Sequence, residues 1–131
     1  MSTETPHTCL VVDDSRVVRK AARRILEKHG FTVEEAEDGQ QALEACRGRM
    51  PQLVLLDWNM PVMDGITFLR NARAEFGAEK PLVMLCTTES GFDRIVAALE
   101  AGAQEYIMKP FDEAILTGKL AQIGLLPDLA A

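Results

Sequence analysis

Several features common in other protein classes are missing from this 131-residue chain. No apolar run approaches the roughly 18 residues that span a membrane, and the polar start, MSTETPHT, does not form a signal peptide. Basic residues are outnumbered: 14 Lys and Arg face 20 Asp and Glu, so the net charge is −6, which argues against a nucleic-acid-binding surface. The sequence therefore predicts a cytoplasmic, monomeric protein with a single domain, bound to neither membrane nor nucleic acid.

Cysteine and histidine are also scarce. Cys9, Cys46 and Cys86 are odd in number and form no CxxC pair, so we expect reduced, buried thiols rather than disulfides or a zinc site. His7 and His29 are far apart in the sequence, which argues against a metal or catalytic role for either.

Hydrophobic residues make up 47% of the chain, enough for one core, and short apolar runs alternate with segments of helical spacing. The predicted strands are Cys9–Val12, Phe31–Glu35, Leu53–Leu56, Leu82–Cys86 and Tyr106–Met108. The predicted helices are Arg16–His29, Asp38–Arg49, Asp64–Glu75, Phe92–Ala101 and Asp112–Leu125. Apolar strands that alternate with helices predict an α/β fold, in which a parallel sheet carries helices on both faces.

The first helix has the most regular apolar spacing. Its predicted inward face consists of Val17, Val18, Ala21, Ala22, Ile25 and Leu26. The last helix contains Gly118, which should weaken it by about 1 kcal/mol relative to alanine.

Polar residues follow four of the five predicted strands. Asp13 and Asp14 follow the first, Asp57 the third, Thr87 the fourth and Lys109 the fifth. Because the carboxyl ends of parallel strands share one edge of the sheet, and open α/β sheets bind ligands there, we expect these side chains to converge.

This set of groups is suited to phosphoryl transfer. Three clustered carboxylates repel one another unless a cation lies among them. Oxygen ligands without His or Cys favour Mg²⁺. A carboxylate can act as a nucleophile and form an aspartyl phosphate, whose charge a metal, a lysine and a hydroxyl can stabilise. Since the chain has no Gly-rich nucleotide loop, the donor should be a small molecule or a protein rather than ATP.

Each residue also has an ordinary structural interpretation. The Asp13–Asp14 pair could cap a helix, Asp57 could be a turn residue, Thr87 could be a strand residue, and Lys109 could be a solvated charge. Their predicted position at the same sheet edge favours a shared site.

The segments LVVDDS, LLDWNMPVMDG and YIMKPF, together with Thr87, resemble the receiver domain of bacterial response regulators, and most of all the stand-alone chemotaxis regulators. The resemblance covers the chain from about Thr8 to Leu126 and rests mainly on DWNMPxMDG. It implies a flavodoxin-like, doubly wound sheet with strand order 2-1-3-4-5. The expected boundaries are a flexible tail at 1–7, a receiver domain at 8–126 and a short tail at 127–131, with no output domain.

The resemblance also implies the parts of the site. Asp57 is the phosphoacceptor. Asp13, Asp14, Asp57 and the backbone carbonyl of Asn59 bind Mg²⁺, for which Mn²⁺ can substitute. Asn59 and Glu89 occupy the positions that tune self-dephosphorylation.

Further roles are implied for the switch. Thr87 and Lys109 stabilise the phosphoryl group, and Lys109 pairs first with Asp57. Tyr106 acts as a rotamer switch, and the Lys109–Pro110 bond is cis. Thr88 departs from the small residue usual beside the site, and could narrow access for a donor.

The resemblance implies a histidine kinase as phosphodonor, and a downstream protein bound by the fourth helix, fifth strand and fifth helix. The flagellar motor switch is the expected target, and a phosphorelay intermediate or phosphate sink is the alternative. An Asp-nucleophile phosphatase is disfavoured, because that class places its paired acids as DxD on the first strand. A flavin carrier is disfavoured because DDSRVV would repel a phosphate. The chain is thus expected not to be an enzyme beyond its own phosphorylation and dephosphorylation.

Overall fold

The computed structural model describes residues 7–88 and 92–126. Within these residues, five strands alternate with five helices. The strands are β1 (Thr8–Val12), β2 (Thr32–Ala36), β3 (Leu53–Asp57), β4 (Leu82–Thr87) and β5 (Glu105–Met108). The helices are α1 (Arg16–Lys28), α2 (Gly39–Gly48), α3 (Gly65–Phe76), α4 (Phe92–Glu100) and α5 (Glu113–Gln122). All ten elements lie where the sequence predicts them, although α5 ends at Gln122 rather than at Leu125.

All five strands are parallel and form one sheet in the order β2-β1-β3-β4-β5. The predicted fold class and strand order are therefore confirmed. The chain reverses its direction across the sheet between β1 and β3, which are neighbours although β2 lies between them in sequence. Such a reversal is where doubly wound sheets bind their ligands.

The core has two parts, one on each face of the sheet. Successive strand residues point to opposite faces, so Val54 and Leu56 belong to one cluster, whereas Leu53 and Leu55 belong to the other. Helices α2, α3 and α4 contribute to the first cluster, and α1 and α5 to the second. Because both faces are covered, the central strands are apolar throughout and only their ends can carry charged side chains.

In the described part of the chain, four helices begin at a capping side chain. The side chains of Ser15, Asp38, Asp64 and Asp112 each accept a hydrogen bond from the backbone N–H three residues further on. Such a cap typically stabilises a helix start by about 1 kcal/mol. The caps Ser15, Asp38 and Asp112 follow the carboxyl end of a strand within four residues, so they hold short loops at that edge of the sheet.

The predicted inward face of α1 is wrong at Val17. This side chain is 79% exposed, and Ala21, one turn further on, is exposed as well. Ala22 and Leu26 are buried as predicted. Residues 17 and 21 are four apart and thus share one side of the helix, and that side faces solvent, so the buried stripe is narrower than the sequence suggested.

The three cysteines are buried and form no disulfide. Burial raises the pKa of the Cys9 thiol to about 12, which keeps it protonated. Among the residues that the model describes, no helix has both the length and the apolar character that a membrane crossing requires.

Candidate functional site

The register of the sheet places two acidic residues side by side. Val12 pairs with Leu56 in the β1–β3 ladder, so the next residues, Asp13 and Asp57, meet at the same edge. Asp13 is 3% exposed and Asp57 is 8% exposed, whereas Asp14 faces solvent. One carboxylate oxygen from each of the three residues lies within 4.8 Å of the others. The predicted acidic cluster therefore forms.

Lys109 reaches this cluster from β5, on the far side of β4. Its Nζ lies 2.6 Å from Oδ2 of Asp13 and 3.2 Å from Oδ1 of Asp57. Its backbone N–H donates to the carbonyl oxygen of Thr87 at 2.9 Å, and the Lys109–Pro110 peptide bond is cis. The resemblance implied that Lys109 pairs with Asp57; the structure contains this pair, and Asp13 is a second and nearer partner.

The charges of Asp57 and Lys109, at the centre of the site, affect each other. Burial and the negative charge of Asp13 raise the pKa of Asp57, and Lys109 only partly offsets them. Burial opposes the charged form of Lys109, but its hydrogen bond to Asp13 and the charge of Asp57 outweigh that effect and raise the pKa of the ammonium. Lys109 is thus held in its charged form.

The donor set fits a hard divalent cation. Three carboxylates and one ammonium leave two formal negative charges without a counterion in the cluster. Oxygen ligands alone are present there, and Asp14 opens the cluster to solvent, so an ion could keep several waters. These residues are able to hold a metal ion.

The loop after β3 is tightly constrained beside Asp57. The N–H of Gly65 donates to the carbonyl oxygen of Trp58 at 2.8 Å, and a Cβ on Gly65 would lie 2.3 Å from the carbonyl oxygen of Asp57. Val62 has φ +68° and is the central residue of a three-residue turn, in which the Met63 N–H donates to the Pro61 carbonyl at 2.7 Å. This is a strained conformation for a β-branched residue.

Sequence reasoning missed both of these loop residues. For Gly65 the DG pair at the start of α3 was an available signal, because glycine permits a close approach of two backbone segments. For Val62 the sequence offers no signal, since valine is disfavoured at positive φ.

The remaining predicted residues lie around this cluster or beyond it. Thr87 ends β4, next to the residue paired with Asp57, and is 3% exposed. Tyr106 is half-buried in β5, and the Lys119 ammonium lies 4.3 Å from the centre of its ring. Asn59 and Thr88 are exposed, and Glu89 lies outside the described residues. The roles implied for these residues stay predictions.

A family model, the response regulator receiver domain, matches residues 9–121. The chain belongs to this family. Its alignment with the transcriptional regulatory protein CseB of Streptomyces avermitilis has 39% identity over 114 residues, 87% of this chain and 47% of that protein. With the response regulator MprA of Mycolicibacterium vanbaalenii the identity is 42% over 106 residues, 81% of this chain and 45% of that protein.

A solved structure that resembles this receiver domain is the chemotaxis response regulator CheY4 of Vibrio cholerae. It superposes with a TM-score of 0.85 at 29% identity, over 91% of this chain and 99% of that one. The receiver domain thus accounts for most of the chain, whereas the chain spans about half the length of the curated relatives it matches.

Proposed function

We propose that Asp57 accepts a phosphoryl group from a histidine kinase, and that the phosphorylated domain then binds a downstream protein. The surroundings of Asp57 carry this proposal. It is a buried carboxylate with an ammonium 3.2 Å from its Oδ1 and oxygens of two further carboxylates within 4.8 Å. A lone buried aspartate would be costly, whereas this arrangement suits a charge that grows when the site is phosphorylated.

In this proposal the cluster holds Mg²⁺, with Mn²⁺ as a substitute, through Asp13, Asp14, Asp57 and the Asn59 carbonyl. When bound, the ion supplies positive charge to the phosphoryl oxygens. An oxygen of Asp57 forms a bond to phosphorus, while the bond from phosphorus to the donor's histidine nitrogen breaks. The Lys109 ammonium then neutralises part of the charge of the product.

Phosphorylation is then followed by a conformational change. Thr87 hydrogen-bonds the new phosphoryl oxygens, and Tyr106 changes rotamer, which alters the face formed by α4, β5 and α5. Asn59 and Glu89 set the rate of self-dephosphorylation. The domain acts as a phosphoacceptor rather than an enzyme, because its product is a conformational state and not a released metabolite.

The first experiment is phosphorylation by acetyl phosphate, with the protein's mass as the readout. The wild type should gain one phosphoryl group in Mg²⁺ and none in EDTA, and Asp57→Asn should gain none. Asp93→Asn, which removes an exposed carboxylate on α4, serves as the control and should behave as wild type. Labelling of Asp57→Asn at the wild-type level would contradict the assignment.

Lys109→Ala separates phosphorylation from switching. The variant keeps Asp57 and so should still be phosphorylated, more slowly, but it loses the ammonium that responds to the new charge. Beryllofluoride with Mg²⁺ should therefore change hydrogen exchange in α4 and β5 of the wild type and leave that of Lys109→Ala nearly unchanged. If hydrogen exchange in Lys109→Ala changed as much as in the wild type, Lys109 would have no role in the switch.

The identity of the downstream protein stays open. A flagellar target is not supported by the curated relatives, since CseB is a transcriptional regulatory protein, although the solved relative CheY4 is a chemotaxis protein. Capture of partners by the beryllofluoride-bound form, compared with the free form, distinguishes a motor component from a transcriptional or phosphorelay partner.

A further inference from the structure

Arg19 on α1 connects the acidic site to β2. Its Nη1 donates to the backbone carbonyl oxygen of Asp13 at 2.8 Å, and its Nε donates to Oε1 of Glu35 at 2.9 Å. The Arg19 side chain is only 12% exposed and that of Glu35 is 13% exposed. A planar guanidinium that is held at two points has little freedom to move.

Glu35 is a firm anchor for this contact. Its other oxygen accepts from Lys20 at 2.7 Å and from Arg23 at 2.8 Å. Burial opposes its charged form, but these three cations outweigh that effect and lower its pKa to about 2. Glu35 therefore stays ionised at neutral pH, and its backbone is fixed because it pairs with Val11 in the β1–β2 ladder.

The polar atoms of Asp13 all have partners. Its N–H donates to the Ala36 carbonyl at 3.1 Å, and Oδ1 accepts from the Ser15 N–H at 2.9 Å. Oδ2 accepts from Lys109 at 2.6 Å, and the backbone carbonyl accepts from Arg19. Of these four contacts, the one with Arg19 fixes the plane of the peptide that leads into the next residue.

That next residue is Asp14. The Asp13 carbonyl and the Asp14 N–H belong to one planar unit, so a guanidinium that holds the carbonyl oxygen also fixes where Asp14 begins. Because Asp14 is exposed, packing does little to orient its carboxylate, and the orientation depends mainly on this backbone. Without Arg19 this peptide would keep the bond from the Ser15 N–H to Oδ1 of Asp13 but lose the one to its carbonyl oxygen. The arrangement in which the carboxylate oxygens lie within 4.8 Å of one another would then be held less firmly.

We propose that Arg19 is a positioning residue for the metal site: it holds the Asp13–Asp14 peptide so that both carboxylates face a bound cation. This inference rests on the proposed function. It separates Arg19 from Arg23 and Lys20, which pair with the same glutamate but make no contact with Asp13 among the hydrogen bonds of the described residues.

The test compares Mg²⁺ affinity in Arg19→Gln, Arg19→Lys and the matched control Arg23→Gln. The only tryptophan in the chain, Trp58, follows Asp57 directly, so its fluorescence reports a cation at the site. Loss of a group that orients metal ligands typically weakens metal affinity 10–100-fold, and we expect about tenfold for Arg19→Gln. The Mg²⁺ affinity of Arg19→Lys should lie between those of Arg19→Gln and the wild type, because an ammonium keeps the charge but lacks the forked guanidinium that reaches both acceptors. Arg23→Gln should stay within about twofold of wild type.

A second readout separates positioning from general stability. Phosphorylation by acetyl phosphate should be slow in Arg19→Gln at limiting Mg²⁺ and recover at saturating Mg²⁺, because Asp57 itself is intact. A variant that is merely less stable would not recover in this way. If Arg19→Gln fails to fold, Arg19→Lys and Glu35→Gln decide the question, and both should weaken Mg²⁺ binding more than Arg23→Gln does.

The two proposals fail in different ways. If the wild type binds Mg²⁺ and is phosphorylated on Asp57, but the Arg19 and Glu35 variants have the Mg²⁺ affinity of Arg23→Gln, the role of Arg19 is refuted and the proposed function stands. If the wild type neither binds Mg²⁺ nor is phosphorylated on Asp57, the proposed function falls and the role of Arg19 falls with it.

Discussion

Replacing Asp57 with asparagine should make the metal-free domain more stable, although Asp57 lies at the centre of the site. The substitution keeps the shape of the side chain and removes one negative charge from a cluster of three carboxylates and one ammonium. Lys109 keeps Asp13 as a partner at 2.6 Å, so no buried ammonium is left unpaired.

The magnitude follows from the distances. At an effective dielectric of 20, two unit charges at 4.8 Å, the upper limit for these oxygens, repel by about 3.5 kcal/mol, and in water by about 1 kcal/mol. These values apply to buried Asp13 and exposed Asp14 respectively. Attraction to Lys109 at 3.2 Å is worth about 5 kcal/mol on the same scale and nearly cancels them. What remains is the cost of burying the Asp57 charge, so we expect Asp57→Asn to stabilise the fold by about 1–2 kcal/mol.

Urea unfolding monitored by Trp58 fluorescence tests this in EDTA and in Mg²⁺. In EDTA the asparagine variant should have the larger free energy of unfolding. Magnesium at about 100 times its dissociation constant should add about 2.7 kcal/mol to the wild type and clearly less to Asp57→Asn, which lacks one ligand. Asp93→Asn, which removes the same charge from an exposed position, should respond to magnesium as the wild type does.

Two results would refute this reasoning. If Asp57→Asn is less stable than wild type in EDTA, the attraction of Lys109 outweighs both the burial and the repulsion of the charge. If magnesium stabilises both proteins equally, the ion does not contact Asp57, and the cluster of three carboxylates is not one site.

Three further substitutions test the surroundings of the site by urea unfolding. Val62→Asn should stabilise the fold by about 1 kcal/mol, since asparagine tolerates φ +68° better than valine. The control is Val17→Asn: Val17 is about as exposed as Val62 but lies in a helix, so this substitution should not stabilise the fold. Gly65→Ala should destabilise the fold by more than about 2 kcal/mol, because its Cβ would collide with the carbonyl oxygen of Asp57. Gly118→Ala, whose Cβ would have nothing within 4 Å, should instead stabilise the fold by up to about 1 kcal/mol. The pKa of Glu35 in the folded protein is about 2, below its usual 4.5. Its contribution to the free energy of unfolding is therefore fully present above pH 4.5 and is lost as the pH falls toward 2. In Glu35→Gln the free energy of unfolding should depend less on pH in this range. The same pH dependence as in the wild type would contradict the pairing of Glu35 with its three cations.

The sequence predicted the fold well because the signals involved are local. Apolar runs as short as Leu53–Leu56 favour strands buried on both faces, and the acidic N-caps mark where helices begin. Periodicity was less reliable at Val17, because spacing identifies which residues share a side of a helix but not how wide a stripe the sheet covers. The width depends on how α1 packs, which is a tertiary property.

Some residues of the site were likewise predictable from local signals, and others depend on tertiary contacts. Asp13, Asp57 and Lys109 were predictable because they follow strands, and strand ends in a parallel sheet meet at one edge. Arg19 was not predictable, since it lies on a helix with several basic residues. Its contact with the Asp13 carbonyl and its deeper burial, which distinguish it from Arg23, are visible only in the structure. Its guanidinium bridges a strand end and a neighbouring strand, a relation that no spacing in the sequence encodes.

The position of Lys109 bears on how large a response phosphorylation can produce. Its ammonium lies between two carboxylates, at 2.6 Å from Asp13 and 3.2 Å from Asp57. A phosphoryl group on Asp57 adds about one negative charge, and at about 4 Å and a dielectric of 20 that charge attracts the ammonium by about 4 kcal/mol. Converting a two-state equilibrium from 1:99 to 99:1 requires about 5.5 kcal/mol. The attraction of Lys109 to the phosphoryl group is therefore too small by itself. It is reduced further because a movement toward that group weakens the bond between Lys109 and Asp13. A complete switch would need a second contact that forms only with the phosphoryl group. Thr87, buried at the end of the strand next to that of Asp57, is the residue to which the proposed function assigns this contact.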